Sequence, residues 1–193
     1  MSKLAVLHFN PLELYPPVLN FINTLALEKP SISTRVFSIA PNRNIKTFTS
    51  KSGEIRLFRL GKSSDSPVIR YITYLQFNLG VLFFLLWKRP DTVFYYDTIS
   101  ALPAILYKRL IRPKAKLFIH YHEYVSPVEY TTGMLLVRLF HRWESLIYPV
   151  VDWVSHTNED RLRLFLKDNS LQPDHRFKIL PNYPPAAWHP AER

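Results

Sequence analysis

No cysteine occurs in the chain, and only four of its 193 residues are glycine. The first absence excludes disulfides, thiolate metal sites and cysteine nucleophiles. The second excludes nearly every glycine-rich phosphate cradle. Gly53, Gly61, Gly80 and Gly133 stand alone, so neither GxGxxG nor GxxxxGK[ST] occurs, and a dinucleotide-binding reading fails with them. GxSxG is missing too, which removes the nucleophile elbow of a serine hydrolase. No apolar run reaches the roughly 20 residues of a membrane-spanning helix. The densest, Leu79–Trp87, is nine residues long, and Thr73, Gln76 and Asn78 interrupt its approach. It reads as a buried or half-buried helix. Lying flat on a membrane is the alternative, because Arg70 and Lys88-Arg89 flank it. A secretory signal is not expected either, since only six residues separate Lys3 from Asn10-Pro11. The expected location is the cytoplasm or the cytosolic face of a membrane.

What is present is an ordinary globular composition, 47% hydrophobic, with a formal charge of +10. The length suits one domain. The charge is spread out: residues 1–97 carry 12 Lys+Arg against 6 Asp+Glu, and residues 98–193 carry 13 against 9. Such a balance favours anionic partners of any kind. The densest basic cluster is Tyr107-Lys108-Arg109 with Arg112–Lys116, either a solvated face or a patch for an anionic membrane. Nucleic acid is an unlikely partner, because the aromatic residues are not interleaved with the basic ones as stacking platforms would be.

Short apolar runs alternate with helical periodicity. Strands are expected at Lys3–Phe9, Thr34–Ile39, Glu54–Leu60 (near an edge), Thr92–Asp97, Lys116–Tyr121, Val150–His156 and Arg176–Leu180. Helices are expected from Pro17 at a first helical position to a stop at Pro30, over 68–88, 101–111, 134–148 and 158–167. Residues 40–52 and 122–132 read as loops, and the proline-rich 181–193 as the start of an interdomain linker. Continuous apolar strands separated by helices describe a doubly wound α/β domain, Rossmann-like, with a mostly parallel sheet of about seven strands over 1–180.

In such sheets ligands sit outside the carboxyl ends of the strands. That selects Asn10 and Pro17 after the first strand, Asp97 after the fourth, His120 and His122-Glu123 after the fifth, and Thr157 after the sixth. His120-Tyr121-His122-Glu123-Tyr124 is the densest constellation. Strand alternation puts His120 and His122 on one face, with Tyr121 and Glu123 on the other. A histidine beside a carboxylate orients hydroxyls or moves protons. No metal site is expected, because HxHE names no third or fourth ligand. Asp97 either caps the next helix or touches a ligand hydroxyl. Ser155, Asn158 and Thr157 are read as capping residues, with Thr157 the cap of helix 158–167 and Asp160 in the capping-box position. Glu144 is read as a solvated or salt-bridged helix residue.

Four segments in order, LHFN…PP, KRPDTVFYYD, FIHYHEY, and WESLIYPVVDWVSHTNEDRLRLF followed by KILPNYPPAAWHP, carry a family likeness. The chain resembles the N-terminal, acceptor-side domain of a two-domain, GT-B-fold retaining glycosyltransferase of the family 4 type. The resemblance implies that His122 reaches into the interdomain cleft toward the transferred sugar or the acceptor, with Glu123 its acidic neighbour. These two are the implied catalytic residues. Asn10, Pro17, Asp97, His120 and Thr157 are the implied acceptor-binding set, and Pro181-Asn182 begins the hinge. Many members carry Gly-Gly near the donor phosphate where this chain has Asn10-Pro11-Leu12-Glu13. The implied function is one half of a hexosyltransferase, inactive without a donor-binding C-terminal domain or partner chain. This half would bind no cofactor, the nucleotide-sugar donor being held by the other. A glycan or lipid would be the acceptor. The competing expectation is a non-catalytic module for a partner chain or an anionic membrane surface.

Overall fold

The computed structural model describes residues 3–42, 48–49, 54–132 and 135–182. Seven parallel strands form one sheet in the order β3-β2-β1-β4-β5-β6-β7. They are β1 (Lys3–Leu7), β2 (Ser33–Ala40), β3 (Ile55–Lys62), β4 (Thr92–Tyr96), β5 (Lys116–Tyr121), β6 (Trp153–His156) and β7 (Phe177–Ile179). The helices between them are α1 (Pro16–Glu28), α2 (Pro67–Lys88), α3 (Ala101–Leu106), α4 (Pro127–Thr132), α5 (Leu135–Ser145) and α6 (Glu159–Asp168). A π-helical turn over Tyr107–Ile111 continues α3. The doubly wound α/β class expected from the alternation of elements is therefore the observed one, and β3 lies at the edge.

Both faces of the sheet are covered, which is why the strands are apolar throughout. Leu4, Val6, Val36, Phe94 and Tyr96 pack with Val18 and Ile22 of α1. Their neighbours along the strands, Ala5, Leu7, Phe37, Val93 and Tyr95, turn to the other face and meet α2, α3 and α5. Pro16 and Pro17 occupy the first turn of α1, whose N–H groups have no helical partner, so proline costs nothing there. α2 ends at Arg89 in the left-handed region (φ 46°), and Pro90 follows. Gly61 has φ 97°, and a Cβ there would meet Thr73 Cγ2 at 2.8 Å. Glycine thus lets β3 pass its irregular end close under α2.

Several local expectations need correction. Pro149 sits in a 3₁₀ turn over Tyr148–Val150, so β6 begins at Trp153 rather than at Val150. The expected loop 122–132 contains α4. The cap of α6 is Asn158, whose side chain accepts the Arg161 N–H at 2.9 Å; Thr157 is not the cap. Ser155 lies in β6 and caps nothing. Most of the expected loop 40–52, and of the linker from residue 183 onward, lies outside the described residues.

Candidate functional site

The strand order reverses direction between β1 and β4, and crevices open at such switch points. Here the chain leaves β1 through His8 and Phe9, leaves β4 through Asp97, and leaves β5 through His122. Backbone pairing brings them together: Leu7 of β1 pairs with Tyr95 of β4, and Asp97 N–H donates to the His120 carbonyl of β5 (3.0 Å). Ser100, in the turn after β4, accepts the Phe9 N–H with its hydroxyl at 2.9 Å.

Asp97 is the pivot. Its φ of 56° with ψ of 154° is a backbone region that side chains other than hydrogen avoid. It does not cap the helix that follows. Its carboxylate instead accepts the His122 N–H at 3.0 Å, clipping the end of β4 to the turn after β5. Burial pushes its carboxyl up to about 7, helped by the charges of Glu144 and Glu123 and opposed by the His122 N–H.

Around it stand three buried histidines. Alternation along β5 does place His120 and His122 on one face, with ring centroids 5.0 Å apart. Tyr121 turns the other way and stacks on His156. His122 is stacked on Tyr96 (5.0 Å, 12° between planes) and faces Tyr15 at 5.8 Å. His8 meets Tyr15 edge-on at 4.5 Å. Burial holds the His122 imidazole down at about 4. His8 is lowered to about 3 by burial and then by the neighbouring His122. His120 is also lowered to about 3, by burial first, then by His122 and His156, with an Asn182 contact pulling the other way. All three rings are neutral at physiological pH. Neutral imidazoles exchange hydrogen bonds and protons with hydroxyls, but they do not clamp phosphate.

Among the described residues, both nitrogens of His122 and Nε2 of His8 are buried without a hydrogen-bond partner. Buried polar atoms are nearly always paired, so these nitrogens have hydrogen-bonding capacity to spare, as do both nitrogens of His156 away from the switch point. Ligand atoms of His8, Asp97 and His122 lie within 4.8 Å of one another. His8 is thus the third member that sequence spacing could not name. A metal ion at about 2.1 Å from each ligand spans at most about 4.2 Å. A hydroxyl bonded at about 2.8 Å spans up to about 5.6 Å. The three donors lie close enough together to share one hydroxyl or to be gathered onto one metal ion.

The other sequence candidates are distributed around this cluster. His120 donates or accepts with the Ser155 hydroxyl at 2.9 Å, and that hydroxyl in turn reaches the Ile119 carbonyl at 3.2 Å. His120 and Pro17 line a cleft of about 230 Å³ together with Asn20, Tyr96, Leu180 and Asn182. Asn10 is half-buried in the bend after β1. Glu123 is exposed at the rim, near enough for its charge to act on Asp97 and Tyr15. The Thr157 hydroxyl accepts from Arg161 at 2.7 Å, and the same guanidinium nitrogen donates to the His122 carbonyl at 2.5 Å. Arg161 was not singled out from the sequence. It lies one turn into α6, where an exposed cation is the ordinary expectation.

Of the two readings open for Glu144, solvated or salt-bridged, the solvated one is corrected; His141 Nδ1 lies 4.0 Å from its carboxylate. Glu144 is fully buried, not solvated. Tyr95 and Tyr121 donate to one carboxylate oxygen at 2.7 Å each, and Thr98 donates to the other at 2.6 Å. With those protons committed, Tyr148 donates to Tyr121 (3.0 Å) and Tyr130 to Thr98 (2.8 Å). Five hydroxyls therefore converge, directly or through one another, on a single carboxylate. The buried stripe of α5 runs through Phe140, Glu144 and on to Ile147, while Leu139 and Trp143 stay exposed.

No family model matches the sequence, and no curated protein matches it. Solved structures do. Sucrose-phosphate synthase from Thermosynechococcus elongatus is similar at 12% identity and TM-score 0.63, over 94% of this chain and 48% of that one. A UGT transferase from Siraitia grosvenorii in complex with UDP is similar at 9% identity and TM-score 0.57, over 88% and 49%. A UDP-GlcNAc 2-epimerase from Neisseria meningitidis bound to UDP-GlcNAc is similar at 15% identity and TM-score 0.54, over 93% and 45%. The chain spans about half the length of each. At these identities the likeness shows the fold: a GT-B-type domain, an architecture found in glycosyltransferases and in UDP-GlcNAc 2-epimerases alike.

Proposed function

We propose that this chain forms the acceptor-side half of a glycosyltransferase that moves a sugar from a nucleotide-sugar to a glycan or lipid hydroxyl. The observation that carries the reading is the convergence of unpartnered buried nitrogens on His8 and His122 with the Asp97 carboxyl at the β1/β4 switch point. Such a set binds and orients hydroxyls. His122 is the residue assigned to contact the transferred sugar or the acceptor, and His8 and Asp97 hold it in place. Glu123 supplies negative charge at the rim. His120, Pro17 and Asn10 border the acceptor path, and Thr157 acts through Arg161. The retaining outcome and the family 4 assignment belong to this same proposal.

Donor binding is assigned to a second domain or chain. The three imidazoles are neutral, and the Arg161 guanidinium is engaged by Thr157 and the His122 carbonyl. Nothing in this cluster opposes the charge of a leaving nucleotide diphosphate.

The test is transfer by the assembled enzyme, with the donor half supplied in the same or a separate chain. His122→Ala is expected to abolish transfer while leaving the circular dichroism spectrum and melting unchanged. Full turnover in that variant removes the assignment. Product analysis separates transfer from epimerisation, since an epimerase returns an altered nucleotide-sugar and needs no acceptor.

A further inference from the structure

α2 is the one helix among the described residues that is long and apolar enough to cross a membrane by length and composition. Its packing argues against crossing. Tyr74, Phe77, Val81 and Leu85 are fully buried in the sheet core, so the helix cannot leave the domain without dismantling it. Its opposite side carries a second apolar stripe, Val68, Ile72, Leu75, Leu79, Phe83 and Leu86, all of them exposed. The spacing of three and four residues makes this one continuous line along about 27 Å of helix. Leu79 is 66% exposed and Phe83 68%. Isolated exposed apolar residues are ordinary, but a stripe of this length marks a contact surface.

The two ends of the helix say what the contact is. α2 contains no acidic residue. Arg70 stands in its first turns, and Lys88 and Arg89 at its end, all exposed. Of the nearby acids, Asp91 is already paired with Arg112, leaving Asp65 before the helix. Tyr71 and Trp87 are exposed near the two ends, the residue types that settle at a lipid headgroup boundary. The Lys88 ammonium lies 3.6 Å over the Trp87 ring. Phe83, Leu86 and Trp87 also border a shallow depression of about 330 Å³, open to an apolar chain. In the basic cluster suggested by the sequence, Lys108 is tied to the Ala115 carbonyl and Asp152, Arg109 to the Leu146 carbonyl and Arg112 to Asp91, and among the described residues no apolar stripe accompanies them.

We infer that the outer face of α2 docks flat onto an anionic lipid bilayer. The stripe enters the headgroup boundary while Arg70, Lys88 and Arg89 meet lipid phosphates. A net charge of +10 opposes the rival occupant, a second copy of the same chain. The inference is independent of the glycosyltransferase reading.

The experiment is co-sedimentation of the full chain with vesicles of equal parts phosphatidylglycerol and phosphatidylcholine, beside vesicles of phosphatidylcholine alone. Partitioning is expected to be at least ten-fold stronger on the anionic vesicles and to weaken with salt. Leu79→Ser with Phe83→Ser, and separately Lys88→Glu with Arg89→Glu, are each expected to lower it about ten-fold, with unchanged circular dichroism. Absence of binding to anionic vesicles overturns the proposal. So does binding that both double variants retain. Analytical ultracentrifugation supplies the remaining arm: a dimer that the Leu79/Phe83 variant dissolves assigns the face to self-association instead.

Discussion

Two buried polar clusters meet the ends of β4 and β5 from opposite faces of the sheet, and they are built oppositely. Around Glu144 each oxygen is satisfied: three hydroxyls donate to the carboxylate and two more back them. Around Asp97, among the described residues, the carboxylate holds only the His122 N–H, and His8 Nε2 and both nitrogens of His122 stay unpartnered. Burying polar atoms is costly in both places. The first cluster recovers that cost internally, and so serves the fold. The second leaves nitrogens without a protein partner among the described residues, which is the feature the proposed binding role uses.

The comparison breaks most sharply at His122. His122→Ala is expected to lower transfer by the assembled enzyme about 10³-fold, with melting unchanged. Equal loss of activity and stability would place His122 with the structural cluster instead. Next comes Glu144→Leu, which strands Tyr95, Thr98 and Tyr121 without an acceptor. It is expected to cost about 3 kcal/mol of stability, seen as a lower urea midpoint. Glu144→Gln, which keeps one acceptor oxygen, costs less.

Acidification gives the third test. Burial lowers His8 and His120 to about 3 and His122 and His156 to about 4, from 6.5. The unfolded chain therefore takes up protons that the folded chain refuses as pH falls below about 6.5, and stability drops toward pH 4. Asp97, raised from 3.8 to about 7, works in the reverse direction, since the folded state holds its proton first. Four histidines against one carboxyl leave about three protons of net uptake on unfolding near pH 5. Urea titrations across pH 4 to 7 are expected to show that slope, and Asp97→Asn to steepen it by about one proton. A flat profile would contradict the burial of the histidines.

The smallest effect is at the Asp97 backbone. Both Asp97→Gly and Asp97→Ala lose the bond to His122, but only glycine relaxes at φ 56°. The glycine variant is expected to be more stable than the alanine variant by about 1 kcal/mol. Equal stabilities would mean the turn carries no backbone strain.

The sheet was legible because continuous apolar strands and periodic helices report burial directly. KLAVL, TVFYY and KLFIHY each became a strand with both faces covered. The histidine pair was legible for the same reason, because period-two alternation needs no tertiary information. His8 was not. It reads as the polar end of an apolar run, and its partners arrive from residues some ninety and more than a hundred positions away. The burial of Glu144 was not legible, because a glutamate on a helix is nearly always solvated. Its partners lie on β4, β5 and the turns after them, which no local pattern connects to α5. Thr157 was read as the cap that Asn158 provides, and of the two roles left open for Asp97 its side chain does not take the cap, since short polar residues near a helix start look alike in sequence.

The central strand pair has a consequence for how the molecule comes into being. β1 and β4 lie side by side, with Leu4 beside Thr92 and Leu7 beside Tyr95. The middle of the sheet therefore closes only after nearly ninety residues have been made and threaded through α1, β2, β3 and α2. Pairings that distant in the chain form slowly, because loop closure must precede any gain from contact. During that interval a nascent chain presents both faces of α2, the inner one still uncovered and the outer one never covered by the described fold. Synthesis in the presence of a lipid surface or a chaperone would shelter that helix, and refolding from urea at high concentration would expose it to aggregation.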